Sequence, residues 1–406
     1  MSKGEPKGLS FPIGINVLDE GFPVLFDPHY PIMNNMPPMA LITGSPGSGK
    51  TFFASWLTVL ASISNKVNFV IDPKGDFNNL KKLTAMGLCN NVTIWNLINP
   101  VDNCVSDRDK GVLDPMTLLS GKNRKNDNVN LTIDMIKMLY TEKISKTQSQ
   151  MLNAIVRDKA NSKKQCSLTY VINAMKQSQN PEVRSMASNL SVTLETELGK
   201  LLLKPRNAKP KRFSTTKGTI IVSLLGLKLP APSAKPETLK GPERLSMAIM
   251  YLITSLVSDM MTRLPTEIYK TLIVDEAWTI LSYPEGRNML NEVGLLGRSK
   301  NMATILVTQS PSHLREDVEN ISDDPSDEGS LATTISTYFT FRNNSKAENK
   351  ISVKSMGLPP NEEWDETILH LGKGQCMMKD CLSNYGIIQI SIPDVYAEAF
   401  NTTPTV

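Results

Sequence analysis

The chain has 406 residues, of which 40% are hydrophobic and 21% charged, with a net charge of +4. This balance excludes a disordered chain, and the length calls for a large α/β domain that carries a further subdomain. The slight positive charge suits nucleic acid or anionic lipid as a partner but demands neither.

Residues 1–38 are rich in Pro and Gly, with a strand-like PVLF at 23–26, and read as an extended lead-in. The opening MSKGEPKGLSFPIG lacks the apolar stretch of a signal peptide. Residues 39–43 (MALIT) form a short apolar strand that runs into a glycine-rich loop. Beyond it, Phe53, Trp56, Leu57, Leu60 and Ile63 recur at helical spacing. VNFVID (67–72) is a second apolar strand closed by the charged turn PKGDF, and TIWNLI (93–98) is a third. Strand and helix alternate through 39–115, which predicts a mostly parallel sheet.

From 116 to 215 the strand pattern stops. Helical periodicities at 129–140, 147–160, 167–178 and 182–203 predict an all-helical insertion. Its exit, LLLKPRNAKPKRFSTTKG, is basic with no acidic residue and reads as a solvated loop or a nucleic-acid or partner contact. The second part of the core, 216–406, brings strands back at 218–225, 271–276 and 303–309, with a long helix opened by Pro242 over 243–262. Its apolar patch, 245–257, is interrupted by Ser246, Thr254 and Ser255, so no bilayer span is expected. The acidic stretch 316–329 reads as a surface loop, and YFTFR (338–342), GQCMMKD (374–380) and GIIQISI (386–392) as edge strands. The cysteines, Cys89, Cys104, Cys166, Cys376 and Cys381, are odd in number and irregularly spaced. They suit a reducing compartment, and Cys376 and Cys381 with His370 fall short of a zinc ligand set.

Gly44-Ser45-Pro46-Gly47-Ser48-Gly49-Lys50-Thr51 has the G-x-x-x-x-G-K-[ST] spacing. Such a loop folds its backbone N–H groups inward around phosphate oxygens, and the helix that follows adds its positive end. The pattern predicts ATP as ligand: Lys50 on the β and γ phosphates, the Thr51 hydroxyl on Mg2+, and Phe52 completing the nucleotide-binding set. Leu272-Ile273-Val274-Asp275-Glu276 is an apolar strand ending in two acids. A carboxylate there needs compensation for its lost hydration, which Mg2+ would give Asp275, and Glu276 would serve as general base toward water. Gln309, ending ATILVTQ, is placed to sense the γ-phosphate or orient water. Asp72 or Asp76, at the ligand edge of a parallel sheet, reads either as a contact to magnesium-bound water or a neighbouring subunit or as part of a plain charged turn. Arg298 and Arg342 are candidate arginine fingers reaching another subunit's site.

The strings IDPKGDF, LDPMTLL, LIVDEAWTIL, GRSKNMATILVTQS and LGKGQCMMKD, in order along nearly the whole chain, resemble the VirB-type ATPases of conjugation and type IV secretion systems, within the FtsK–HerA superfamily. The resemblance implies a RecA-like core with a helical insertion, hexamers with sites at subunit interfaces, and ATP hydrolysis that energises pilus assembly or substrate export. It maps Lys50 and Thr51 onto the Walker A pair, Asp275 and Glu276 onto Walker B, Gln309 onto the sensor and Arg298 onto the preferred finger. Members usually carry a large N-terminal domain that contacts the membrane complex, whereas 38 residues precede the core here. A DNA-translocating pump of the FtsK or coupling-protein kind is the alternative. The expected partners are further copies of the chain, other secretion components and, as a candidate, DNA. The expected place is the cytoplasm, with any membrane association through a partner.

Overall fold

The computed structural model describes residues 10–400, apart from 18–20, 65, 100, 101, 103, 122, 123, 141, 163–165, 206–216, 232, 233, 235–237, 315–330 and 360–362 and the side chain of 313. The acidic stretch 316–329 and most of the basic run before 218 lie outside the described residues. The chain divides into two compact units: Met1–Trp95, Thr215–Val222 and Met261–Val406 in one, Asn96–Ser214 and Ser223–Met260 in the other.

In the first unit, β1 (Phe11–Asn16), β2 (Pro23–Phe26) and the short α1 (Tyr30–Met33) lead to β3 (Met39–Thr43) and α2 (Lys50–Ile63). β4 (Val67–Asp72), α3 (Leu80–Ala85) and β5 (Val92–Asn96) follow. The second unit holds α4 (Lys125–Leu139), α5 (Lys146–Asn161), α6 (Leu168–Lys176) and α7 (Pro181–Leu194). After β6 (Gly218–Ser223) comes α8 (Gly241–Arg263), most of which belongs to the second unit. The first unit resumes with β7 (Lys270–Val274), α9 (Trp278–Leu281), α10 (Pro284–Lys300), β8 (Met302–Val307) and β9 (Thr337–Phe341). It ends with α11 (Lys346–Met356), α12 (Trp364–Leu369), β10 (Gln375–Lys379), β11 (Tyr385–Ile390) and α13 (Asp394–Phe400).

The strands form one 11-stranded sheet in the order β2-β1-β11-β10-β9-β3-β8-β7-β4-β6-β5. β9, β3, β8, β7 and β4 are parallel, while β2, β1, β11 and β10 extend the sheet beyond β9 as an antiparallel flank. The core strands are mostly apolar, and every residue of β3, β4, β7, β8 and β9 is buried, as in a sheet covered on both faces. α2 packs against β4, β7 and β8. Its Phe53 meets Phe339 edge-on at 5.0 Å between ring centroids, and Phe339 meets Phe26 at 5.1 Å. Burying each such ring stabilises the fold by about 1.5–3 kcal/mol, and the cluster anchors the helix that carries the glycine loop.

Three strands expected at edges are interior. β9 lies between β10 and β3, β10 between β9 and β11, and β11 between β10 and β1. The reason is the antiparallel hairpin β1–β2, which covers β11 and leaves β2 as the edge on that side. In the second unit, the periodicity at 182–203 is not one helix. α7 stops at Leu194, and Leu198–Leu201 form a 3-10 turn. Thr196 Oγ1 donates to Thr193 O at 3.2 Å and accepts from Gly199 N at 3.2 Å, a local side-chain alternative to the helical ladder.

Buried polar groups tie the helical unit together. Asp114 accepts from Met116 N at 3.0 Å and Leu168 N at 3.1 Å. Burial pushes its carboxyl up to about 7, against the lowering effect of these N–H bonds. α8 is long and apolar enough to cross a bilayer by length and composition, with a mean hydropathy of 1.4, but 83% of that window is buried in the fold, as in a core helix.

Gly14 tests whether the β1 hairpin is integral to the sheet. A Cβ there would lie 2.1 Å from the Gln389 carbonyl oxygen on β11, a clash that only separation of the strands relieves. Gly14→Ala is expected to lower stability by about 1–3 kcal/mol, read from the denaturant midpoint. An unchanged midpoint would show that β1 does not seat on β11.

Candidate active site

The sheet registers bring the functional segments to one edge. Ile42 of β3 pairs with Val307 of β8, Val274 of β7 with Leu306 of β8, and Ile71 of β4 with Val274. The residues that follow these strands, Gly44–Thr51, Gln309, Asp275-Glu276 and Asp72–Asp76, therefore emerge side by side at the carboxyl ends of parallel strands, where open α/β sheets bind ligands. Lys50, Thr51, Lys74, Asp76, Glu276 and Gln309 line a single cleft of about 740 Å³, within the usual range for small-molecule sites.

The loop from Gly44 to Gly49 depends on left-handed backbone. Gly44, Gly47 and Gly49 have φ of +148°, +75° and +106°, and a Cβ on Gly44 would lie 2.8 Å from that of Phe341. The loop is moored to the segment after β9: Ser45 N donates to Arg342 O at 3.0 Å and Ser45 Oγ to Asn343 Oδ1 at 3.0 Å. Lys50 Nζ donates to Gly44 O at 2.6 Å and Ser45 O at 2.9 Å, so the ammonium is folded onto its own loop. Burial lowers its pKa to about 8, although the Glu276 and Asp275 carboxylates pull the other way. Pro46, Ser48, Thr51 and Phe52 also line the cleft. Phe52 stands edge-on to Phe400 of α13, with centroids 5.5 Å apart.

Asp275 is 1% exposed. Its Oδ1 accepts from Glu276 N at 3.0 Å, and its buried Oδ2 has no hydrogen-bond partner among the described residues. Burial first, then the Glu276 and Asp72 carboxylates, push its pKa up to about 8. The orphaned Asp275 oxygen and the hydroxyl of Thr51, which lines the cleft beside Glu276, are hard oxygen donors of the kind a divalent cation takes. The residues present thus fit Mg2+.

Glu276 is a non-glycine residue in the left-handed region, with φ +49°. The hydrogen bonds on either side explain it. Asp275 N donates to Ile71 O on β4 at 3.0 Å, whereas Ala277 N donates to Val307 O on β8 at 2.8 Å. In a regular strand, the N–H groups of residues two apart point to the same neighbour, so the backbone must invert at Glu276. Such a conformation costs about 1–3 kcal/mol and persists where its surroundings over-determine it. Here Thr279 Oγ1 donates to Glu276 O at 2.8 Å. Both carboxylate oxygens are engaged: Oε1 by the Lys74 ammonium and Oε2 by the Trp278 indole N–H.

Asp72 does not face the cleft. It is fully buried and accepts from Gly75 N, Asp76 N and Phe77 N at 2.8, 3.1 and 3.0 Å. Burial pushes its carboxyl up to about 6 against these bonds. It is the staple of the turn after β4, and Asp76 is the acid of that turn that reaches the cleft. Gln309 is half-buried and lines the cleft. Arg298 lies elsewhere: it is exposed near the end of α10, with Nη1 donating to Asn35 O at 2.9 Å. Arg342 is exposed and takes part through its carbonyl. Sequence reasoning missed Lys74 and Trp278. Trp278 stands two residues after Glu276, in DEAW, and Lys74 in the turn after β4, whose adjacency to β7 only the sheet order reveals.

The chain matches the AAA-like domain family over residues 33–400. No curated protein matches it significantly. Among solved structures, VirB4 of Thermoanaerobacter pseudethanolicus superposes with a TM-score of 0.69 at 14% identity, covering 97% of this chain and 100% of that one. The bacterial conjugative coupling protein TrwBdeltaN70 superposes with a TM-score of 0.53 at 12% identity, covering 89% of this chain and 86% of that one. These two likenesses are of fold. With its glycine loop, its strand-end acids and a match spanning most of its length, the chain belongs to the AAA-like domain family.

Proposed function

We propose that the chain is a Mg2+-dependent ATPase that acts as a motor of a conjugative-transfer or type IV secretion apparatus, energising pilus assembly or substrate export. The observation that carries the reading is the meeting, in one cleft, of Pro46–Thr51 of the glycine loop with Glu276, with the buried Asp275 carboxylate close enough to act on the Lys50 ammonium. The loop amides and Lys50 bind and orient the triphosphate. Thr51 and Asp275 would hold Mg2+, which neutralises phosphate charge when bound. Glu276 accepts the proton of the attacking water, and Gln309 orients that water. The fold shared with VirB4 supports the secretion role. The fold shared with the coupling protein supports a second reading, a DNA-translocating motor of the FtsK–HerA kind.

Arg298, exposed and outside its own subunit's cleft, is proposed to complete the site of a neighbour in a ring. An arginine acting across an interface contributes about 10³–10⁵ in rate. Turnover per subunit, measured against protein concentration, is therefore expected to rise as rings form. Arg298→Ala should remove the rise while leaving nucleotide affinity unchanged. A rate independent of concentration would refute the shared site. Strong stimulation by DNA that weakens with salt would favour the second reading over the first.

Lys50→Ala is expected to lose nucleotide binding, and Glu276→Gln to bind ATP but hydrolyse it at least about 10²-fold more slowly. Wild-type hydrolysis by either variant, followed by phosphate release, would remove that residue from its role.

Asp275→Asn should separate stability from activity. Its carboxyl is held well above the ordinary carboxylate range by burial. Burying this carboxyl therefore weakens folding at pH above the unfolded value of 3.8, increasingly so up to about 8 and constantly beyond, and the amide removes that cost. In Mg2+-free buffer the melting temperature is expected to stay level or rise, while Mg2+-dependent turnover falls by about 10²-fold or more. A clear drop in melting temperature would show that the carboxylate is compensated within the protein itself.

A further inference from the structure

The turn after β4 holds one side chain that the assignment above leaves without a role. Lys74 lines the cleft, and its ammonium pairs with Glu276 Oε1. The turn that carries it is stiff: the Asp72 carboxylate accepts three successive N–H groups from residues 75, 76 and 77, Gly75 takes φ +80°, and the Phe77 ring is fully buried. Lys74 is thus presented from a fixed base across the gap between adjacent strands, since β4 and β7 pair in register up to Ile71↔Val274.

The other cation nearby is not competing for the acids. Lys50 is folded onto the Gly44 and Ser45 carbonyls. Burial alone would lower the pKa of Lys74, yet the hydrogen bond and charge of Glu276, with Asp275 and Asp76, outweigh it and the pKa is raised. Lys74 accordingly stays charged beside this acid cluster. On the other side of the same carboxylate, the Trp278 ring is 3% exposed and its N–H is committed to Oε2.

We propose that Lys74 is the positioning residue of Glu276, fixing one carboxylate oxygen from the turn after β4 while the Trp278 indole N–H fixes the other. The inference rests on the assignment of Glu276 as general base. A glutamate has three side-chain torsions, and a base that swings among rotamers spends little time within reach of the attacking water. Two donors on two oxygens, each on a rigid segment, confine it. Such confinement acts on the chemical step. Lys74 touches the base, so its loss should lower kcat and spare nucleotide affinity.

The test uses Lys74→Met, which keeps the stem without the charge, Lys74→Arg, which keeps the charge, and Trp278→Phe, which keeps the ring without the N–H. Each is measured for ATP and ADP binding, for melting temperature, and for kcat and KM separately. Lys74→Met is expected to lower kcat about 10- to 100-fold with Kd and KM within about twofold. Lys74→Arg should recover most of the loss, and Trp278→Phe should lower kcat in the same pattern. In single-turnover experiments, Lys74→Met added to Glu276→Gln should cost almost nothing further, because the side chain it positions is no longer a base. An unchanged or raised kcat in Lys74→Met would overturn the proposal. So would a loss confined to Kd and KM, which would make Lys74 a phosphate ligand, or a full additive loss in the double variant. Normal turnover by Glu276→Gln alone would remove the base itself and this inference with it. Loss in Glu276→Gln beside normal kcat in Lys74→Met would sink only the inference.

Discussion

The site is governed by one constraint, the gathering of several carboxylates at the buried ends of two adjacent parallel strands. β4 delivers Asp72, and β7 delivers Asp275 and Glu276, at the same level of the sheet. Carboxylates in such a place are costly unless each finds compensation. Asp72 finds it in three backbone N–H groups. Glu276 finds it in an ammonium and an indole N–H. Asp275 keeps an oxygen that no group in the described structure satisfies. The unequal treatment separates the roles. The first acid is structural, the second is held by two side-chain donors, as the base proposed for it would need to be, and the third has an oxygen left without a donor.

The backbone carries part of the same design. At Glu276 the chain changes hydrogen-bonding partner from β4 to β8 through a left-handed residue, although glycine would take that conformation at lower cost. A glycine would supply no carboxylate, so the strain is the consequence of placing an acid where the strand must turn. β8, which receives Ala277 N through Val307 O, lies between β3 and β7 and is bonded to both. β8, ending two residues before Gln309, therefore sets the spacing between the strand that leads into the glycine loop and the strand that carries the acids.

Much of this was legible in the sequence, because local signals carried it. The glycine spacing before an amphipathic helix marked the loop, and an apolar strand ending in Asp275-Glu276 marked the acids. What escaped reading was pairing. Tyr338–Arg342 and the strands after it read as edges, since nothing local to them names their partners. Their interior place depends on Phe11–Asn16, hundreds of residues earlier, returning to cover β11. Lys74 escaped for the same reason. A lysine in a charged turn resembles any solvated lysine until the order of strands sets that turn beside Glu276. The break of α7 depended on the Thr196 hydroxyl, whose competition with the helix does not disturb the apolar spacing that predicts a longer one.

The two lysines of the cleft show how similar groups are made unlike. Lys50 is half-buried and its charge is opposed by desolvation, with its pKa lowered to about 8; its donors go to neutral carbonyls. Lys74 is half-exposed, and carboxylates hold its pKa above the ordinary lysine value. An ammonium whose hydrogen bonds go to carbonyls, and whose net balance is set by desolvation despite nearby carboxylates, gains from an arriving anion, since that anion replaces the lost hydration. An ammonium already paired with a carboxylate gains less, because it must give up one anion to take another. The electrostatics thus leave Lys50 as the cation that gains more from an anion, in keeping with the phosphate role proposed for it, and leave Lys74 with Glu276. Exchanging their environments, rather than their identities, is what would exchange their roles.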